Sequence, residues 1–226
     1  MKKNSLFEEE LKKDLTWFTK NFRKTLEAYL KNFPQRYKKM IFYFLFPGGK
    51  YIRPILMFCS SKMLGIKKED VFYPACCIEL IHNYSLIHDD LPCMDNDDYR
   101  RGRLSLHKKF SESDAILIGD GLLTLAFEIL SDWQNMKHDI ILKVLKLISN
   151  YVGFDGLIKG QFMDLEGKKF FYVKKDKKYI KKYLEDLSIN KTAKLIEASI
   201  IVPAIVSNLD SKKMNVLRNI AQKIGL

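Results

Sequence analysis

The stretch from Ser85 to His107 reads SLIHDDLPCMDNDDYRRGRLSLH. Asp89, Asp90, Asp95, Asp97 and Asp98 crowd into it, and Arg100, Arg101 and Arg103 follow at once. Carboxylates this close repel one another unless a cation stands among them. Two or three that converge suit Mg²⁺, a hard ion that keeps several waters and takes further ligands from substrate phosphates. The arginines suit the same partner, because a planar guanidinium grips a diphosphate through two parallel hydrogen bonds where lysine offers a point charge. An exposed acidic loop paired with its own arginines, or a calcium site, would draw on the same residue types. An EF-hand loop is excluded, since the Asp-x-Asp-x-Asp-Gly order and the closing Glu are missing.

A second stretch, PGGKYIRP from Pro47 to Pro54, combines different chemistry. Gly48 and Gly49 let the backbone approach a ligand, and Lys50 and Arg53 add charge, which makes an anion cradle at a helix start. Together the two stretches imply an enzyme that binds two phosphorylated substrates, one through metal and one through basic side chains.

The elements that must position these groups are helical. The pattern from Cys77 to Leu91 puts Glu79, His82, Leu86 and Asp89 close to one stripe. Asp89 and Asp90 then arrive at the C-terminal end, where the helix dipole is negative and a cationic partner is needed. Pro92 deflects the chain there and lets Asp95 swing back towards Asp89. Elsewhere Leu11, Leu15, Phe18, Phe22, Leu26 and Tyr29 recur at helical spacing within 6–30. Pro34 and Pro47-Gly48-Gly49 interrupt the pattern, and Pro54 fits the first turn of a helix running through Met63. Further helices are predicted over 71–91, 113–131, 139–152, 177–187, 191–207 and 212–224. The segment 116–130, ILIGDGLLTLAFEIL, is apolar nearly all round and is expected to be central. No alternating strand pattern of comparable length occurs, so the fold class is all-α in one domain.

Composition narrows the function classes. A chain of 226 residues with 47% hydrophobic content can bury a substantial core. The net charge of +12 raises nucleic acid as a partner, but only seven of the 39 basic residues are arginine and the lysines are spread along every amphipathic segment. The one dense run, 168–183, reads as a solvated helix face, and no nucleic acid is expected. The N-terminal lysines precede no apolar run, and no window approaches the roughly 18 apolar residues of a membrane helix. A soluble, cytoplasmic protein without a membrane span is expected. Cys59, Cys76, Cys77 and Cys93 lack paired C-x-x-C spacing and are predicted to be reduced, buried thiols.

The segments GGKYIRP, IELIHNYSLIHDDLPCMDNDDYRRGRLSLHKKF, AILIGDGLLTLAFEIL, GLIKGQFMDL and NKTAKLIEAS resemble the trans-isoprenyl diphosphate synthases, most closely the bacterial-type farnesyl diphosphate synthases. The resemblance implies an isoprenoid synthase-type helical bundle around a central cavity, usually a homodimer, with diphosphates held at the cavity mouth by Mg²⁺. By position, Asp89 and Asp95 would ligate Mg²⁺ on the allylic diphosphate, with Asp90 as supporting charge and Arg100 on the same diphosphate. Lys50, Arg53, His82 and Arg101 would hold isopentenyl diphosphate, although His82 also fits a hydrogen-bonded helix residue. Lys191 and Thr192 match a pair that faces the allylic group, and Gln161 with Asp164 match a Gly-Gln-x-x-Asp motif on the facing helix. The Thr192 hydroxyl, the Lys191 carbonyl and Gln161 would stabilise an allylic cation. His88 matches no binding role and is expected to be structural.

Tyr84 and Ser85, shortly before Asp89, would set product length, with farnesyl diphosphate as the implied product. LPCMDNDD is shared with geranylgeranyl diphosphate synthases, which stand as the alternative, beside a noncatalytic diphosphate-binding partner subunit. Asn190, Ala193 and Lys159 depart from the family's common His, Gly and Gly. The second aspartate motif that family members carry after a stretch resembling AQKIGL does not occur. The expectation is therefore a single domain, 1–226, lacking that C-terminal part and weakly active alone.

Overall fold

The computed structural model describes residues 2–46, 48–170 and 176–225, the side chains of 2–5 and 168–170 excepted. The helical spacing folds into α1 (Lys2–Tyr29), α2 (Gln35–Leu45), α3 (Ile52–Met63), α4 (Phe72–Asp89), α5 (Leu106–Lys109) and α6 (Glu112–Ser131). There follow α7 (His138–Val152), α8 (Leu157–Phe170), α9 (Lys177–Ser188), α10 (Lys194–Val206) and α11 (Ser211–Gly225). Pro54 lies in the first turn of α3, where its missing N–H costs nothing. Ser111 caps α6 by accepting the Asp114 N–H at 3.0 Å. The only strands among the described residues are β1 (Tyr99–Arg100) and β2 (Arg103–Leu104), an antiparallel hairpin with Tyr99 opposite Leu104.

Aromatic packing fixes the N-terminal helices against the middle of the chain. Phe18 and Phe22 stack at 5.2 Å, and Trp17 meets Phe58 and Phe72 edge-on at 5.8 and 5.5 Å. These contacts join α1 to α3 and α4. Of the 18 residues of α4, 14 are buried, so α4 is the central helix. This corrects the placement expected for 116–130. That segment forms most of α6 and packs on α4, but its other face leaves Leu117 69% and Ile116 44% exposed. Apolar periodicity all round a helix identifies surface that wants covering, not what covers it.

Three helices escape the periodicity argument: α5, too short to show a period, and α2 and α8. In α2 the apolar residues form a continuous run from Met40 to Leu45, which carries no period. In α8 charged residues and glycines interrupt any stripe, because this helix serves a polar site. Cys76 and Cys77 are buried, and burial pushes both thiols up. Cys59 is half-buried and Cys93 exposed, so the expectation of buried thiols holds for the adjacent pair alone. Within the lysine-rich run, 171–175 lie outside the described residues, as does Pro47 of the predicted cradle. Residues 168–170 end α8, and 177–183 contribute to α9, which buries none of its side chains, as a solvated face should. No helix among the described residues is long and apolar enough to cross a membrane.

Between α9 and α10 the chain widens into a π-helical turn, Ile189–Ala193. Such turns are costly and concentrate at functional sites. Here α8 presses directly against it. A Cβ on Gly160 would collide with the Lys191 backbone nitrogen, and one on Gly225 would collide with the Ala193 methyl. Gly225 thus makes room for the methyl at 193. Because backbone yields less than side chains do, Gly160→Ala should destabilise the fold by about 1–3 kcal/mol. A lowered midpoint in chemical denaturation is the expected result, and an unchanged midpoint would contradict the close approach.

Candidate active site

Asp89 ends α4 and Asp90 is its C-cap. Beyond Pro92 the chain turns back and feeds N–H groups to the helix's last carbonyls. The Asp95 N–H donates to Asp89 O at 2.8 Å, Asn96 N–H to Leu91 O at 3.0 Å and Asp97 N–H to Asp90 O at 3.2 Å. Asn96 takes the turn at φ 55°, a left-handed conformation that Asn tolerates. Asp95 is thereby returned to Asp89. Asp90 is engaged elsewhere: Arg100 Nε donates to its Oδ1 at 2.8 Å, and Nη2 bonds both that oxygen and Asp97 Oδ2. The other Asp90 oxygen is buried without a partner. The positive charge required at this helix end is thus Arg100.

Facing Asp89 stand α8 and the π turn. Gln161 Nε2 donates to Asp89 Oδ1. Lys191 Nζ lies 2.6 Å from Asp164 Oδ2 and 3.9 Å from Asp89 Oδ2. Thr192 follows on the same turn and is exposed. Burial pushes the Asp89 carboxyl up, opposed by Lys191 and Gln161 and reinforced by Asp95. Among the described residues no group of three or more acidic, His or Cys side chains gathers as a ready-made metal cage. Asp89 and Asp95 interact as a pair of carboxylates across the turn, and carboxylates in ones or twos are what Mg²⁺ commonly takes from a protein beside phosphate oxygens and water.

A separate cavity of about 360 Å³ opens between the start of α3, the middle of α4 and the hairpin. Lys50, Arg53, His82 and Arg101 all line it, and Arg100 reaches it from the aspartate side. Arg53 Nε is buried with no hydrogen-bond partner, and burial depresses its pKa against the pull of Glu79. Such an orphaned cationic donor is suited to an incoming anion. Arg101 and Gly102 occupy the hairpin turn at φ 54° and 73°, the I′ geometry that favours Asn or Gly. An arginine there is held against its conformational preference.

Glu79 belongs to this cavity and was missed as a site residue; its place on the stripe of His82 and Asp89 was the available signal. It is 2% exposed, and burial pushes its carboxyl up to about 7, opposed by Asn83, Arg53 and Arg101. Tyr84 and Ser85 are buried, Tyr84 packing edge-on against His88 at 5.7 Å and Ser85 Oγ donating to His82 O at 2.9 Å. His88 Nε2 lies 3.1 Å from Ile116 O, joining α4 to α6 in a structural role.

Burial and the Arg53, Arg101 and Arg100 charges depress His82 to about 3. Its folded pKa thus lies below the ordinary 6.5, so the unfolded chain binds the proton first as pH falls. The His82 contribution to stability is complete above about pH 6.5 and is lost progressively towards pH 3. Relative to His82→Gln, wild-type unfolding free energy should therefore decline over that window, steepening towards about 1.4 kcal/mol per pH unit. A pH-independent difference would mean that the imidazole is freely protonated in the native state.

The polyprenyl synthetase family profile matches residues 34–226. A farnesyl diphosphate synthase of Micrococcus luteus is 40% identical over 191 residues, 84% of this chain and 63% of that protein. A chloroplastic geranylgeranyl pyrophosphate synthase of Catharanthus roseus is 38% identical over 201 residues, 88% of this chain and 55% of the relative. This chain therefore spans less than two thirds of either relative. The solved structure of an FPP/GFPP synthase from Zymomonas mobilis superposes with a TM-score of 0.86 at 31% identity, over 96% of this chain and 77% of that one. The match extends through α4, its acidic loop, α8 and the π turn: the chain belongs to the polyprenyl synthetase family and has its helical fold.

Proposed function

We propose that this protein is a Mg²⁺-dependent prenyltransferase of the farnesyl diphosphate synthase type, joining an allylic diphosphate, dimethylallyl then geranyl, to isopentenyl diphosphate. The observation that carries this reading is the pair of unlike anion sites, Asp89 with Asp95 on one side and the cationic cavity on the other, with Arg100 bordering both. Bound Mg²⁺ would supply charge stabilisation for the departing diphosphate. Arg100 holds that same diphosphate, while Lys50, Arg53 and Arg101 hold isopentenyl diphosphate and a neutral His82 completes its hydrogen bonds. The allylic C–O bond breaks, the isopentenyl double bond attacks the cation, and a proton is lost to the released diphosphate. Gln161, the Lys191 carbonyl and the Thr192 hydroxyl stabilise the positive carbon. Electrostatic preorganisation is the main contribution, because Arg53 is held by burial, Arg100 by Asp90 and Arg101 by Asn83.

A cytoplasmic homodimer is the accompanying proposal. It is supported by the uncovered apolar side chains Leu117 and Ile116 on α6 and Leu142 on α7. Tyr84 is proposed as the floor that limits the product to fifteen carbons, with Ser85 beside it.

Calorimetry separates the two sites. Lys50→Ala or Arg53→Ala should weaken isopentenyl diphosphate by about tenfold or more and spare the allylic ligand. Asp89→Ala should do the reverse, in a Mg²⁺-dependent manner. Equal losses for both ligands would merge the sites, and metal-independent allylic binding would remove the Mg²⁺ assignment. Product analysis tests the floor: Tyr84→Ala should shift the product to twenty carbons or more. A twenty-carbon product from the unmutated enzyme would favour the geranylgeranyl alternative.

A further inference from the structure

Arg101 depends on a residue that no substrate contact explains. Asn83 is 1% exposed on α4 and faces two charged partners at once. Its Nδ2 donates to Glu79 Oε1 at 2.9 Å and to Glu79 O at 2.8 Å. Its Oδ1 accepts from Arg101 Nη1 at 3.2 Å. The carboxylate on one side and the guanidinium on the other leave the amide a single orientation. Gly49 clears the remaining space, since a Cβ there would lie 2.9 Å from Arg101 Nη2. Arg101 is thus held from three sides: by its left-handed turn, by the glycine backbone and by the amide.

We infer that Asn83, itself fixed by Glu79, is a positioning residue that aims Arg101 into the cationic cavity. An amide whose donor end is committed to Glu79 presents only its acceptor end to Arg101, and that fixes the direction of the guanidinium. Glu79 then serves as an anchor one residue removed, its carboxyl bonded to Asn83 and close enough to offset the crowding of Arg53 and Arg101.

This inference rests on the assignment of the cavity to isopentenyl diphosphate, and the experiment separates the two. The 226-residue chain is titrated calorimetrically with isopentenyl diphosphate, and separately with geranyl diphosphate plus Mg²⁺. Four variants are compared with wild type: Arg101→Ala, Asn83→Ala, Asn83→Asp and the double variant Glu79→Gln with Asn83→Asp. Losing the amide should weaken isopentenyl diphosphate by about tenfold in Asn83→Ala and leave geranyl diphosphate within about twofold. Asn83→Asp alone sets two carboxylates against each other and should weaken binding as well. The double variant exchanges donor and acceptor: an amide at position 79 donates to a carboxylate at position 83, which still accepts from Arg101. It should return affinity to within about threefold of wild type. That rescue is one that mere repacking does not produce, and it remains readable if Asn83→Ala fails to fold. Loss in Arg101→Ala without loss in Asn83→Ala, equal loss of both ligands in Asn83→Ala, or no rescue in the double variant overturns the positioning role. Equal affinity of wild type and Arg101→Ala overturns the cavity assignment together with the inference built on it.

Discussion

Carboxylates packed at the negative end of a buried helix must be met by positive charge, and the architecture around α4 follows from that requirement. Asp89 and Asp90 stand where the helix dipole already disfavours anions and where burial raises the cost further. Arg100 returns through the hairpin to bond Asp90, and Lys191 approaches Asp89 from the π turn. The two carboxylates receive different treatment. Asp90 is locked by an arginine on its own loop, whereas Asp89 meets a lysine held more closely by Asp164, at 2.6 Å rather than 3.9 Å. An ion pair built for rigidity and a carboxylate left partly uncompensated thus sit side by side.

A buried pair such as Arg100–Asp90 is weak evidence of net stability, since desolvation consumes much of the Coulombic gain. Its value here is geometric. It ties the hairpin to the end of α4, and Tyr43 and Arg103 tie the same hairpin to α2. The Tyr43 hydroxyl donates to Leu104 O at 2.8 Å, and Arg103 Nη1 donates to Tyr43 O and Phe46 O at 3.3 and 3.2 Å. Because the loop with Gly48, Gly49 and Lys50 begins just past that helix end, the aspartate cluster and the cationic cavity share one clamp.

Charge was the most legible feature of the sequence. The aspartates and arginines name their own chemistry, and Pro92 marks the bend that returns Asp95, since a proline's lost donor has only local remedies. Long amphipathic helices such as α1 and α7 were equally readable, because one period spans many residues. The failures have a common origin in information that is not local. The exposed face of α6 reads as core because apolar content says nothing about who covers it. Asn83 looks like an ordinary helix position until the hairpin brings Arg101 across from 18 positions away. In α8, the residues that serve Asp89 are the same ones that break the apolar stripe.

The π turn at Ile189–Ala193 also acts on everything downstream of it. One extra residue in a helical turn rotates the following helix by about 100° relative to an unbroken continuation. The phase of α9, which shows solvent a lysine-rich surface, is thereby uncoupled from that of α10, whose Leu195, Ala198 and Val202 must face the core. Lys191 falls within the wound-out segment and so answers to neither phase. A single-residue deletion there would realign the two helices as one continuous rod, and it would force a choice between a packed interior and a lysine beside Asp89. The irregularity therefore marks the passage from a fully solvated helix to a buried one, and it places Lys191 beside Asp89 at that junction.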